Sequence, residues 1–479
     1  MRRIRAGQDC CDRGPLILGG LLLLLAAALR LAASAGPLWL DEIWSLQFAA
    51  QIARPLDVFA RIKHDNNHFL NTLWLYLMGP GRPFWLYRLP AAVAGTLSVF
   101  VAGRIGAWRG RADQFAAMAI VACSYLLIHY SSEARGYALA VFFALASYAC
   151  LRQFLARGER VWGVLFSVSA MLGLLSHPTY VHCYFAGLCW SAWRAWGLWV
   201  AGRRSAAVWS LLLCHALPLV LGGALYVVNL RHMELGGGPE YGLWALLAET
   251  GSLAVGGPLG GPLATAASLA FGGGVLGGLI LLRRQGADEW GFFALATLAP
   301  LVAAVGSPPP FLFPRYFLIA VAFGLLLWSF LLGALFRWGG TGRCLSGITI
   351  LLFVAANARW AAELIRVGRG QYLEALRYLA ARDSAAVITV TSDHDHGNRM
   401  LVDFYSPYLR PPRPVAYRNV GGTWGPEAPR WLILHRYRTW HESPPPGRFR
   451  LRGRSYVHQQ EFDSTILSGW RWLCYRRVP

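Results

Sequence analysis

Two acids, Asp41 and Glu42, stand side by side in GPLWLDEIWS (36–45), directly after an apolar stretch at residues 15–35. That stretch is long enough to cross a bilayer as a helix. The pair therefore falls about one helical turn past its end, near the membrane surface. Carboxylates are costly at that depth and add little to folding, so paired acids there point to chemistry done at the membrane. A second polar run follows at 63–72, KHDNNHFLNT. It gathers Lys63, His64, Asp65, Asn66, Asn67, His68 and Asn71 at the start of a short apolar helix. The free backbone N–H groups of that helix start suit a phosphate. A capped, solvated interfacial helix explains one Asp or Asn. It does not explain two histidines, the only lysine of the chain and two upstream acids on one face.

Three further groups fall on the same side: Glu133, Arg135 and Tyr137 in SSEARGY (131–137), His177 before Pro178, and Arg315 in SPPPFLFPRYF (307–317). Each has a plain alternative, namely a local ion pair, a turn histidine and an interfacial arginine. Their shared face is what favours chemistry. Cations suit an anionic lipid phosphate, and the guanidinium fork matches phosphate oxygens. A carboxylate orients or deprotonates a hydroxyl or amine nucleophile. Together these requirements describe transfer from a lipid-phosphate donor.

The elements that must position these groups are membrane helices. The chain is 56% hydrophobic and only 14% charged, against about 25% charged for an ordinary soluble domain. Its net charge of +21 is carried by short arginine-rich connections: Arg2, Arg3, Arg5 and Arg13; Arg104, Arg109 and Arg111; Arg152, Arg157 and Arg160; Arg203 and Arg204; Arg283 and Arg284; Arg337 and Arg343. These occupy every second connection, which is the positive-inside pattern, so the charge needs no nucleic-acid partner. Five of the nine cysteines lie in apolar segments and only Cys474 falls in the outer soluble part, which leaves no disulfide framework there. The amino-terminal arginines, apolar run and Ala33-Ser34-Ala35 resemble a cleavable signal. The length of the run and the many spans after it favour a retained first helix.

Apolar runs and loop charges predict eleven spans, near 15–35, 84–103, 113–130, 137–155, 161–176, 179–197, 206–229, 262–282, 290–306, 315–336 and 344–364. With a cytoplasmic amino terminus, the carboxyl terminus lies outside. The expected domains are a transmembrane part, 1–364, whose outer loop 36–83 carries interfacial helices, and a small extracytoplasmic α/β part, 365–479. In the latter, 385–392 and 430–436 read as buried strands and 371–382 as an amphipathic helix. A glycine-rich outer connection covers 230–261.

At these residues the sequence resembles the multi-spanning glycosyltransferases of the C superfold, which use polyprenyl-phosphate sugars. Within them it is most similar to bacterial relatives of the protein O-mannosyltransferases and of the lipid A aminoarabinose transferase. LDEIWS, HDNNHFLNT, RLPAAVAGTLSVFVAGRI (88–105), SSEARGYAL and PRYF carry the resemblance. It implies an all-α polytopic membrane bundle of about eleven helices with a small C-terminal α/β domain. It implies Asp41 as catalytic carboxylate, Glu42 and Glu133 as supporting acids, and Lys63, Arg135 and Arg315 at the donor phosphate. His64, Asn67, His68, Tyr137 and His177 become substrate contacts. Where relatives often read His-Pro-Pro, this chain has His64-Asp65-Asn66-Asn67-His68.

The implied partners are a polyprenyl-phosphate sugar, membrane lipid, and a glycan, lipid or protein acceptor. The resemblance also implies transfer with inversion, in a bacterial inner membrane. Metal dependence stays open, with Asp41, Glu42 and His64 as the set that could take a divalent ion such as Mg or Mn. No glycine-rich phosphate loop follows a strand, so no nucleotide is expected. The rival readings are a transporter of lipid-linked substrates and an oligosaccharide ligase using a lipid diphosphate. The first is disfavoured by the lack of internal symmetry and of mid-membrane charges.

The arginine alternation makes a direct prediction. Reporter fusions within 283–286 and at the carboxyl terminus should report opposite sides of the membrane. If both are cytoplasmic, the polar motifs do not share one outer face and the site is lost.

Overall fold

The computed structural model describes residues 13–238, 242–306, 311–424, 428–438 and 443–478. Arg2, Arg3, Arg5, Cys10, Cys11 and residues 307–310 of the proline-rich run lie outside the described residues. The described cysteines are all free. A helix occupies each of the eleven segments read as spans. Among the described residues seven helices are long and apolar enough to cross a membrane, so length and composition support seven of the expected eleven crossings. The helix Leu318–Phe336 is buried along most of its length and packs against Arg111–Cys123, Gly261–Arg284, Trp290–Gly306 and Gly340–Val367. In lipid, close contact rather than water exclusion holds helices together, which favours small residues at crossings. At Gly278 an added Cβ would lie 2.6 Å from the Leu327 side chain.

The segment expected as one span, 113–130, is two helices, Arg111–Cys123 and Tyr125–Tyr130, broken at an extended Ser124. A break orphans backbone groups, and in an apolar bundle these must find partners. The Tyr125 N–H donates to Asn357 Oδ1 at 2.7 Å. The carbonyls of Val121 and Ala122 accept from the guanidinium of Arg30 at 3.2 and 3.3 Å. This accounts for an arginine inside the first apolar helix, Arg13–Ala33, where it is fully buried.

The loop after the first helix, expected as an outer loop, folds into helices Leu40–Ala50, Asp57–Ala60 and Phe69–Met78. The last was expected as an interfacial helix over 68–79. It is tied into the protein, because the amide of the buried Asn71 donates to the Ala134 carbonyl at 2.7 Å.

The carboxyl-terminal part carries one mixed sheet of six strands: β1 (Ile388–Ser392), β2 (Val415–Tyr417), β3 (Trp431–Arg436), β4 (Arg448–Leu451), β5 (Arg454–Phe462) and β6 (Arg471–Arg477). Their order is β2-β1-β3-β6-β5-β4. β1 pairs in parallel with β2 and β3, and the remaining pairs are antiparallel. The helices Tyr372–Arg382 and Asp395–Tyr405 pack with it. This domain shares a core with the outer loop: Leu38, Trp39 and Ile43 pack with Tyr372, Tyr405 and Leu409. Tyr405 also donates to the Leu38 carbonyl at 2.6 Å.

One joint holds these parts in register. Arg88, fully buried in the helix Phe84–Ala107, gives its Nε to Glu42 Oε1 at 2.7 Å and its Nη2 to Glu42 Oε2 at 2.6 Å. Its remaining donors reach the carbonyls of Ser34, Gly36 and Pro37. All five N–H groups of the guanidinium are thereby used. Removing one partner of such a pair strands the other charge, at a cost of about 3–5 kcal/mol. Arg88→Met should therefore lower the melting temperature and monodisperse yield of detergent-purified protein. Adding Glu42→Gln should recover part of the loss. An unchanged melting temperature in Arg88→Met would show that this joint does not hold the loop.

Candidate active site

Asp41 stands in the first turn of Leu40–Ala50, adjacent to the anchored Glu42. Its Oδ2 lies 2.9 Å from Arg135 Nη1 and 3.6 Å from Arg315 Nη1. Arg135, in the outer turn before helix Tyr137–Arg157, is 2% exposed and also reaches Asn66 Oδ1 and the Tyr137 hydroxyl. Asn66 in turn donates to the Asp41 carbonyl at 2.9 Å and to Ser45 Oγ at 3.1 Å. Arg315 enters from the short helical turn Pro314–Phe317, with its guanidinium 3.9 Å from the Phe313 ring centroid. Two nearly buried cations thus converge on one carboxylate. Three buried donors of this cluster, Arg135 Nε, Arg315 Nε and His68 Nε2, have no hydrogen-bond partner.

The other residues singled out from the sequence divide into neighbours and supports. His68, Tyr137 and His177 form a packed ring cluster with centroids 4.4–4.9 Å apart. His68 Nδ1 accepts the Gly136 N–H at 2.8 Å, and an added Cβ at Gly136 would collide with the Ser176 carbonyl at 2.0 Å. Burial, reinforced by Arg135 and Arg315, lowers the His177 pKa to about 3. His68 is lowered for the same reasons, so both rings are neutral. His64 packs 4.4 Å from the Trp44 ring, and its Nδ1 accepts from the Asn66 N–H. Asn67 braces the loop by donating to the Val58 and Ile62 carbonyls.

Glu133 is not in the cluster around Asp41. It is fully buried at the junction with the carboxyl-terminal domain, 3.1 Å from Arg369 Nε and 3.2 Å from His129 Nε2, with Ser468 donating to it. Burial alone would raise its pKa. The His129 hydrogen bond and the Arg369 charge outweigh that and hold it well below the usual carboxylate range. Glu42 likewise faces Arg88 and the Ala134 N–H. The Lys63 carbonyl accepts the Glu234 N–H at 2.8 Å, next to the short parallel bridge between His64 and Glu234.

A cavity of about 500 Å³ opens beside Asp41 and Arg315, within the usual range of small-molecule sites. Part of its wall comes from groups that the sequence reading missed. Glu249, on helix Leu243–Ala254, lines it, as do His394, His435 and Trp470 of the carboxyl-terminal domain. Burial pushes Glu249 up to about 7. The run DHDH (393–396) after a predicted strand was the available signal for the histidines. For Glu249 it was a lone acid in an apolar stretch.

The metal set considered from the sequence does not assemble. Asp41 is held by two arginines, Glu42 by Arg88, and His64 Nδ1 by a backbone N–H and Asp65. No group of three His, Cys, Asp or Glu side chains among the described residues could hold a metal ion.

No protein-family model and no curated protein matches the chain. Among solved structures it is similar to ArnT from Cupriavidus metallidurans bound to undecaprenyl phosphate. The identity is 13% and the TM-score 0.50, over 98% of this chain and 99% of that one. It is also similar to the arabinosyltransferase EmbB from Mycobacterium smegmatis, at 14% identity and a TM-score of 0.44 over 70% of this chain. The match covers 32% of EmbB, so the chain spans about a third of that protein. The end-to-end match to ArnT agrees with the relatives suggested by the sequence motifs. The chain is a multi-pass membrane protein with the fold of the C-superfold glycosyltransferases, an ArnT-like helical bundle closed by a small α/β domain.

Proposed function

We propose that the chain is a membrane glycosyltransferase that moves a sugar from a polyprenyl-phosphate carrier to an acceptor. It works at the outer face of a bacterial inner membrane, with inversion at the anomeric carbon. The observation that carries this reading is the convergence of Arg135 and Arg315 on Asp41, with Arg315 and Asp41 lining the cavity. A carrier phosphate is the kind of anion that two such guanidinium groups suit. The likeness to ArnT, a protein solved with undecaprenyl phosphate, supports the same class of donor.

In this reading the acceptor oxygen bonds to the anomeric carbon as the bond from that carbon to the phosphate oxygen breaks. The electron pair leaves with the carrier phosphate, and the acceptor proton passes to Asp41. Arg315 and Arg135 stabilise the charge that grows on the leaving phosphate, and fixed donors in a water-poor site do this with little reorganisation. Glu42 and Glu133 are positioning groups that hold the loop and the second domain. His68, His177 and Tyr137 pack behind Arg135, while His64 and Asn67 shape the loop.

Asp41→Asn keeps the size and removes basicity, so transfer should fall by roughly 10²-fold or more at unchanged protein level. Arg315→Ala should raise the apparent KM for lipid-linked donor and weaken binding of undecaprenyl phosphate to purified protein. Arg315→Lys should recover only part, since it keeps the charge but loses the fork. A donor KM unchanged in Arg315→Ala, together with a lower melting temperature, would make that residue an interfacial anchor and refute its phosphate role.

Glu249 gives a pH test. It shares the cavity with Asp41, Arg315, Arg438, Tyr437 and three histidines, His394, His396 and His435. Below about pH 7 it is protonated, and above that it adds a negative charge that opposes the donor phosphate. Donor KM should therefore rise above neutrality in the parent enzyme, and Glu249→Gln should flatten the rise. An identical pH profile in the two proteins would remove Glu249 from the donor's surroundings.

A further inference from the structure

The wall of the cavity opposite Asp41 and Arg315 has a different chemistry. It is contributed by the carboxyl-terminal domain, through the loop after β1 and the strand ends of β3 and β6. His394 caps the helix Asp395–Tyr405, and its Nδ1 accepts the Gly397 N–H at 3.1 Å. A ring nitrogen that accepts carries no proton, so the proton of the neutral ring sits on Nε2, which is a donor. His435 is arranged the other way. Its Nδ1 lies 3.0 Å from Asp393 Oδ1, so Nδ1–H donates to the carboxylate and Nε2 keeps a lone pair. The two rings are 5.1 Å apart. Trp470 packs against both, at 5.1 and 4.5 Å. From the other wall Trp44 reaches His396 at 5.1 Å, so the two walls meet.

A donor and an acceptor side by side over an aromatic floor match a group that both donates and accepts. Sugar hydroxyls do this, and the C–H face of a pyranose or furanose packs on flat rings. A phosphodiester only accepts, and this wall suits it poorly. Asp393 stands behind His435, and Asp395 is held nearby by Tyr417 and the Val420 N–H. Arg438, the arginine lining this side of the cavity, is already paired with Glu363. Burial and the neighbouring His435 lower the His394 pKa, which keeps that ring neutral.

We infer that the carboxyl-terminal domain forms the acceptor subsite of the cavity, and that the acceptor it takes is a neutral glycan presenting hydroxyls to His394 and His435 over Trp470. The inference rests on the transferase reading and deepens it by naming the acceptor class. It also gives the sheet a task. The membrane part holds the charged donor, and the soluble part holds the uncharged acceptor across the same cavity.

The test uses full-length protein in detergent and ligand-observed saturation-transfer NMR. The probes are three neutral tetrasaccharides (mannotetraose, xylotetraose and chitotetraose), with inorganic phosphate as competitor and undecaprenyl phosphate in a parallel sample. His394→Asn keeps a side chain that caps helices well and removes the Nε2 donor. His435→Phe keeps the ring against Trp470 and removes the acceptor.

The expected result is saturation transfer to at least one tetrasaccharide, weakened about tenfold in the double variant, as loss of two hydrogen bonds to a neutral ligand implies. Undecaprenyl phosphate should bind parent and variant alike, and inorganic phosphate should compete with it and not with the tetrasaccharide. The inference is overturned if undecaprenyl phosphate binds while no tetrasaccharide does. It is also overturned if the double variant binds the tetrasaccharide as well as the parent does, or if phosphate displaces the tetrasaccharide. Failure of undecaprenyl phosphate to bind the parent protein would instead strike the donor reading itself, so the two failures are read separately.

Discussion

A single buried guanidinium, that of Arg88, sets where the Asp41 carboxylate can be. An arginine in the interior of a membrane bundle is tolerated only when every donor is met. Here the donors are met by three carbonyls at the exit of the first helix and by both oxygens of Glu42. The same Glu42 accepts the Trp39 N–H at the start of Leu40–Ala50 and the Ala134 N–H in the turn that carries Arg135. The paired acids therefore have divided tasks. Glu42 is spent on geometry, which leaves Asp41 free on the next position to meet the arginines. The adjacency of two acids, costly at a membrane surface, is explained by one of them never facing solvent.

The second domain is fastened by a parallel device. Arg369, beyond the last long helix, is 1% exposed and contacts Glu133, the Ser132 hydroxyl and the carbonyls of His129 and Ala33. Ser468, just before β6, bridges His129 and Glu133. The loop that presents Ser468 also brings Trp470 to the cavity. Fixing the sheet to the membrane part and forming the far wall of the cavity are thus one structural event. A buried charge network is a poor source of net stability, but its geometric demands are strict. Strict geometry is what a site made by two domains requires.

The electrostatics of the cavity follow from this arrangement. On the membrane side Arg135 and Arg315 converge on Asp41, and neutral buried histidines behind Arg135 add no charge. On the sheet side Asp393 and Asp395 stand beside the histidine rings. In the proposed reading the first wall suits an anion and the second an uncharged polar group. Glu249, half-buried and titrating near neutrality, lies where its charge would alter that division.

What the sequence determined by itself was the membrane bundle, the side on which its polar motifs gather, and Asp41, Arg135 and Arg315 as members of one candidate site. These are properties of local pattern. Apolar run length, arginine alternation and polar residues at helix ends are legible because a bilayer constrains each segment separately. Strands β1 and β3 and the helix Tyr372–Arg382 were readable for the same reason, from their own short patterns. Tertiary structure alone decided the partners. Glu42 faces Arg88 across 46 residues, and Glu133 faces Arg369 across 236. It also decided the break at Ser124, which needs Asn357 and Arg30 to satisfy the freed backbone groups. The histidine wall became part of the cavity only when the sheet docked. Side-chain pairing over such separations leaves no periodic trace in the chain, since only the folded packing brings its members within hydrogen-bonding distance.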